Sequence, residues 1–153
     1  MRKGYFYQIK LSKAKDNGMN KNKIDSVIQF DPIVNKAKLS KIYVVKANKE
    51  FIYVGKADRG IFKRLGDGLN PKGKRSYGYP WREKINSAGL YVWLYPEFKP
   101  DSDDLESLEA ELVYLIRKNT GTWPKYQCEI HFHPSTPSIR REAQEIFSFL
   151  KSR

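Results

Sequence analysis

Lys41-Ile42-Tyr43-Val44-Val45, Lys46-Ala47-Asn48-Lys49-Glu50 and Phe51-Ile52-Tyr53-Val54-Gly55-Lys56 together decide the fold. Two apolar runs rich in β-branched and aromatic residues flank a short polar segment, the signature of a β-hairpin. Residues directly opposite in an antiparallel pair point to the same face. A three-residue loop, Ala47-Asn48-Lys49, pairs Lys46 with Glu50 and Tyr43 with Tyr53. A two-residue loop at Asn48-Lys49 puts the two tyrosines on opposite faces, because a one-residue slip inverts every side chain. We expect the first register.

Working outward, 153 residues suffice for one domain with a real core. The net charge is +12, which favours a polyanionic partner, nucleic acid before membrane. The charge is uneven: residues 1–40 hold nine Lys/Arg against three Asp, and residues 41–75 hold ten against three acids. Residues 101–128 reverse the sign, with six acids against three bases, as suits a helix start. No apolar run reaches membrane-spanning length, and the basic N-terminus lacks the apolar core of a signal peptide. One cysteine, Cys128, excludes an internal disulfide and a cysteine-rich zinc site, so a reducing cytoplasm is expected.

The remaining elements follow from pattern. Residues 1–40 read as a basic extension. Within it Tyr5 to Ile9 could form a strand, Lys13 to Lys23 reads as a loop, and Ile24 to Val34 could add a strand or wrap the domain. The extension either lies on a phosphate backbone or covers a sheet edge. After the hairpin, Asp58 can cap a short helix over 60–65 that carries Arg64. Residues 66–78 read as a glycine-rich basic loop, with Lys72, Lys74 and Arg75 for phosphates and Tyr77, Tyr79 and Trp81 for stacking. Leu90 to Tyr95 is a third strand, placed beside the hairpin. Asp103 and Glu106 resemble a capping box. Leu105, Leu108, Leu112, Leu115 and Ile116 then form a helical stripe. Glu109 lies about 60° from the centre of that stripe and Glu111 about 100° off, at its edge. A glutamate on an apolar stripe needs a partner, and a bound cation would serve. Glu129 to His133 alternates like an edge strand. His131 and His133 share its face, as surface residues or as a metal pair without a third ligand. A C-terminal helix over 139–151, packing through Ile139, Ile146, Phe149 and Leu150, braces the domain.

Lys41-Ile42-Tyr43 and Tyr53-Val54-Gly55 resemble the two tripeptides that name the GIY-YIG nuclease family. The ten-residue tyrosine spacing and an arginine eleven residues past the second tyrosine, Arg64, extend the resemblance. Tyr53-Val54-Gly55-Lys56-Ala57 and Pro124-Lys125-Tyr126-Gln127 resemble segments of the bacterial excision-repair nuclease, and Glu109-Ala110-Glu111-Leu112-Val113 resembles the family's metal-binding helix. Lys41 replaces the leading glycine. Gly68 stands where many members carry histidine or tyrosine, so Tyr77 or Tyr79 reaches back or the role is missing. Gln127 stands at an asparagine position. The resemblance covers about residues 41–127.

It implies an α+β fold with a small central three-stranded antiparallel sheet flanked by helices. The expected organisation is a basic extension (1–40), a nuclease domain (41–133) and a bracing helix (134–153). It implies a DNA endonuclease in which Glu109, with Glu111 as fallback, holds Mg²⁺ or Mn²⁺. Tyr43 or Tyr53 would align or deprotonate the attacking water, helped by Lys56 and the metal, or Lys56 itself would be the base. Arg64 would stabilise the pentacovalent phosphate. The expected partner is double-stranded DNA, contacted by Lys72, Lys74, Arg75, Tyr77 and Gln127. The alternative is an inactive basic DNA- or RNA-binding module.

Overall fold

The computed structural model describes residues 2–25, 29–73, 77–100 and 102–153. Five strands form one antiparallel sheet in the order β2-β1-β5-β3-β4. They are β1 (Gly4–Asp16), β2 (Met19–Ile24), β3 (Ser40–Ala47), β4 (Glu50–Ala57) and β5 (Ser87–Tyr95). Three α-helices cover it: α1 (Ile61–Leu69), α2 (Asp103–Thr120) and α3 (Pro137–Lys151). Short 3₁₀ turns lie at Pro32–Asn35 and Pro80–Glu83. Among the described residues no helix is long and apolar enough to cross a membrane.

The α+β class is as expected, but the sheet has five strands and not three. Residues 4–16 and 19–24 belong to the sheet. β1 pairs with β5 from Gly4–Trp93 to Lys10–Ser87, so the chain's first strand completes the sheet interior. The stretch 13–23, expected as a loop, is the second half of β1 turning into β2. Its lysines and asparagines give no apolar alternation, and only Asn17-Gly18 signals the turn.

β3 lies between β5 and β4 and is buried along its whole length. Tyr43 and Val45 face one layer, with Ile61, Leu65 and Leu69 of α1, Tyr79 and Trp81. Ile42 and Val44 face the other, with Leu105, Leu108, Leu112 and Ile116 of α2 and Ile139, Ile146 and Leu150 of α3. Each fully buried aliphatic side chain there is worth about 1.5–3 kcal/mol. The sheet is therefore the middle of three layers, and the two tyrosines belong to the α1 side.

Two helix starts differ from expectation. α1 is preceded by Gly60, not capped by Asp58, and it continues through Gly66 and Gly68 to Leu69, so the first four residues of the expected glycine-rich loop are helix. α2 follows Ser102, which puts Asp103 inside the first turn and leaves Glu106 for other partners. Thr136 caps α3 by accepting from the Ile139 amide. Residues 129–133 are not a strand. The outer edge of β4 is covered instead by 125–127: the Lys125 and Tyr126 amides donate to Phe51 and Ile52, each at 2.9 Å. A covered edge cannot recruit another chain.

Candidate active site

The hairpin reaches the expected result by a different route. The loop is the two-residue one, Asn48-Lys49, with φ of 51° and 66°, the type I′ geometry that matches strand twist. Ala47 pairs with Glu50 and Lys46 with Phe51, and then the ladder shifts so that Val45 faces Tyr53. Ile52 is thus an inserted bulge residue. The bulge cancels the face inversion that a two-residue loop would cause. Tyr43 and Tyr53 end on one face with ring centroids 6.0 Å apart, as diagonal and not opposed neighbours.

Gly55 lies directly across from Tyr43. A Cβ on Gly55 would sit 2.5 Å from the Tyr43 Cζ and Oη and 2.7 Å from Tyr53 Cε1. The glycine is there because both rings lie over its backbone. The same logic explains Gly68. A Cβ there would sit 2.1 Å from the Tyr79 ring, and the Tyr79 amide donates to Gly68 O at 2.7 Å. Tyr79 fills the space that a side chain at 68 would occupy, and its hydroxyl lies 2.7 Å from that of Tyr43. Of the two tyrosines that could reach back, Tyr79 does so, stacked on Trp81 at 4.7 Å. Tyr77 is 87% exposed.

Arg64 projects from α1 over this cluster, its guanidinium 5.4 Å from the Tyr79 ring centroid, with a long Nε contact of 3.5 Å to Lys56 O. It makes no ion pair among the described residues. Its pKa is raised, chiefly by Tyr43, against the opposing effect of burial. A half-buried cation without a carboxylate is ready to take an anion. Glu109 of α2 completes the group. Burial pushes its carboxyl up to about 7, while Lys56 and Arg64 pull it down and Glu106 pushes it further up. Glu109 too makes no ion pair among the described residues, although it is not sealed from solvent. A desolvated carboxylate with an open side suits a hard divalent cation that keeps most of its waters. Binding would displace the proton.

Lys56 lines an open cavity of about 390 Å³ with Arg64, Asp58, Arg59 and Leu105. Its ammonium is held 3.1 Å from Glu106 Oε1. The other oxygen of Glu106 meets His133 Nε2 at 2.6 Å, and His133 Nδ1 lies 3.8 Å from Asp103. Both partners, His133 first, lower the Glu106 pKa. The sequence reading paired His133 with His131. In the structure His133 joins Asp103 and Glu106, a group close enough to share an ion.

Among the protein's own groups the balance raises the tyrosine pKa values. Burial raises Tyr43, Tyr53 and Tyr79, and Arg64 opposes it only partly. At neutral pH all three are protonated hydroxyls that donate and accept hydrogen bonds. Lys41, at the departing first position of the motif, is fully buried. Its Nζ donates to the carbonyls of Lys36, Leu39 and Arg59 at 2.8, 2.6 and 3.0 Å. It ties the start of β3 to the segment that launches α1, and burial pushes its pKa down to about 8.

The expected nucleic-acid residues divide. Lys72 is exposed at the end of α1. Lys74 and Arg75 lie outside the described residues. Gln127 is committed to the protein: its amide accepts from Val54 N and donates to Val54 O, both at 2.9 Å. Sequence reasoning missed Glu106 and His133 as neighbours of Lys56. It held Tyr79 only as an alternative, and the empty position at Gly68 was its signal. Comparison of the chain with protein-family models, with curated proteins and with solved structures finds no match.

Proposed function

We propose that the chain is a metal-dependent DNA endonuclease of the kind its motifs resemble. The observation that carries this reading is that Arg64 and Glu109, neither in an ion pair among the described residues, feel each other's charge beside the hydrogen-bonded Tyr43 and Tyr79 hydroxyls. These groups come from β3, α1, the segment before Pro80 and α2, so a structural role for each alone does not explain their convergence. The net charge of +12 supports a polyanionic substrate.

In this reading Glu109 holds Mg²⁺ or Mn²⁺, which would polarise a non-bridging phosphate oxygen. Arg64 binds the phosphate and stabilises the charge that grows on it. The tyrosine hydroxyls orient the attacking water rather than deprotonate it, because burial keeps them neutral. Lys56, which faces the cavity, is the remaining candidate for proton transfer. Double-stranded DNA would be held by Lys72, Lys74, Arg75 and Tyr77.

The test separates the two glutamates of α2. Glu109→Ala should lose cleavage by at least about 10²-fold while DNA binding persists, and Glu111→Ala should keep it. An active Glu109→Ala beside a dead Glu111→Ala would refute the assignment.

A further inference from the structure

Strand β1 outruns its inner neighbour. Its pairing with β5 ends at Lys10–Ser87, and from Leu11–Ile24 to Asp16–Met19 it pairs with β2 alone. Six pairs at about 3.4 Å per residue make a two-stranded arm of about 17 Å. Asn17-Gly18 closes it, with φ of 49° and 79°. An isolated two-stranded ribbon is marginal in water, so it needs an anchor. Asn22 N donates to the Asn70 side chain at 2.9 Å, and Asn70 Nδ2 donates back to Asn22 O at 2.7 Å. Lys13 meets Glu83 at 2.5 Å. These contacts fix the arm to the C-terminal end of α1, the helix that carries Arg64, and to the 3₁₀ turn at Pro80–Glu83.

Apart from Met19, which is 72% exposed, the outer parts of the arm are charged and polar. Residues 10–24 hold five lysines against one aspartate, an imbalance that a hairpin kept only for solubility would not need. Lys15 and Lys23 are exposed and make no ion pair among the described residues. Their register puts them on opposite faces: Lys15 pairs with Asn20, and Lys23 pairs with Ser12. At the tip, the Asn17 and Asn20 side chains are exposed and make no hydrogen bond among the described residues.

We infer that the β1–β2 arm is the duplex-reading element of this protein, entering the major groove tip first. Lys15 and Lys23 then meet the phosphate backbones on either side, and the Asn17 and Asn20 amides reach base edges. A ribbon with strands about 4.8 Å apart fits a groove about 12 Å wide. Asparagine is the side chain that matches the adenine edge there. This inference rests on DNA as the partner and adds the surface and groove that receive it.

The test is fluorescence anisotropy with a short DNA duplex and with its single strand, in EDTA, at several salt concentrations. The Lys15→Ala/Lys23→Ala double variant should lower the log–log salt slope for the duplex by about 1.8, at about 0.9 per phosphate contact. The single-strand slope should not change. Both lysines are exposed, so the melting temperature should stay at the wild-type value. An unchanged duplex slope, or an equal fall for the single strand, would overturn the assignment. Because no metal is present, binding is read apart from cleavage. A protein that binds through the arm but never cuts loses the nuclease reading and keeps this one. A protein that cuts with an unchanged slope does the reverse, and a wild type that binds no duplex loses both.

Discussion

The molecule contains two hairpins with the same kind of turn and opposite surroundings. β3–β4 and β1–β2 each turn through two residues with positive φ, Asn48-Lys49 and Asn17-Gly18. The first is buried between two helical layers and carries a bulge. The second leaves the sheet, has no register shift and exposes lysines. Turn chemistry alone therefore does not decide what a hairpin does. Burial makes the first a rigid mount for Tyr43 and Tyr53, and exposure makes the second a surface for charge.

The largest expected effect separates them by pH. Tyr43, Tyr53, Tyr79, Tyr7 and Tyr95 are all buried with raised pKa values. Their neutral forms contribute stability that is fully present below the unfolded tyrosine pKa near about 10. It is lost as pH rises beyond that value, at up to about 1.4 kcal/mol per pH unit for each group. Urea unfolding should show a flat stability below about pH 9 and a steep fall above pH 10. A shallow fall would mean that burial does not hold these hydroxyls neutral.

A second effect tests the glycine mount. Gly55→Ala should destabilise by about 1–3 kcal/mol and displace both tyrosines, because its Cβ has no room. Gly66→Ala, with nothing within 4 Å of its Cβ in the interior of α1, should stabilise by about 0.5–1 kcal/mol. Chemical denaturation of both variants reads the contrast, and equal effects would remove it.

The smallest effect compares the turns. Lys49 holds φ of 66° without being glycine. Lys49→Gly should therefore gain a few tenths to about 1 kcal/mol, while Gly18→Ala, at φ of 79°, should lose about 1 kcal/mol. Melting curves that shift the same way for both would break the parallel between the hairpins.

What could be read in the sequence divides along the same line. The buried hairpin, β5 and the stripes of α2 and α3 announce themselves by apolar pattern, and they place Tyr43, Tyr53 and Glu109. The arm could not be read so, because a strand that packs on little has no alternation to show. The bulge at Ile52 was invisible for a different reason. It arises from the conflict between turn geometry and core face, and no local propensity encodes it. The Lys56–Glu106–His133 chain depends on how residues 129–133 cross the start of α2, a tertiary fact. Gly68 was legible only as a missing side chain, and the structure gives its complement, the Tyr79 ring.

The most direct measurement is incubation of supercoiled plasmid with wild-type protein and with Arg64→Ala, each with and without Mg²⁺ or Mn²⁺. The account predicts that the wild type converts plasmid to nicked or linear forms only with metal. Arg64→Ala should bind DNA and melt near the wild type yet cut at least about 10²-fold more slowly. A wild type that leaves plasmid intact under every metal condition, or an Arg64→Ala variant that cuts at the wild-type rate, would contradict it.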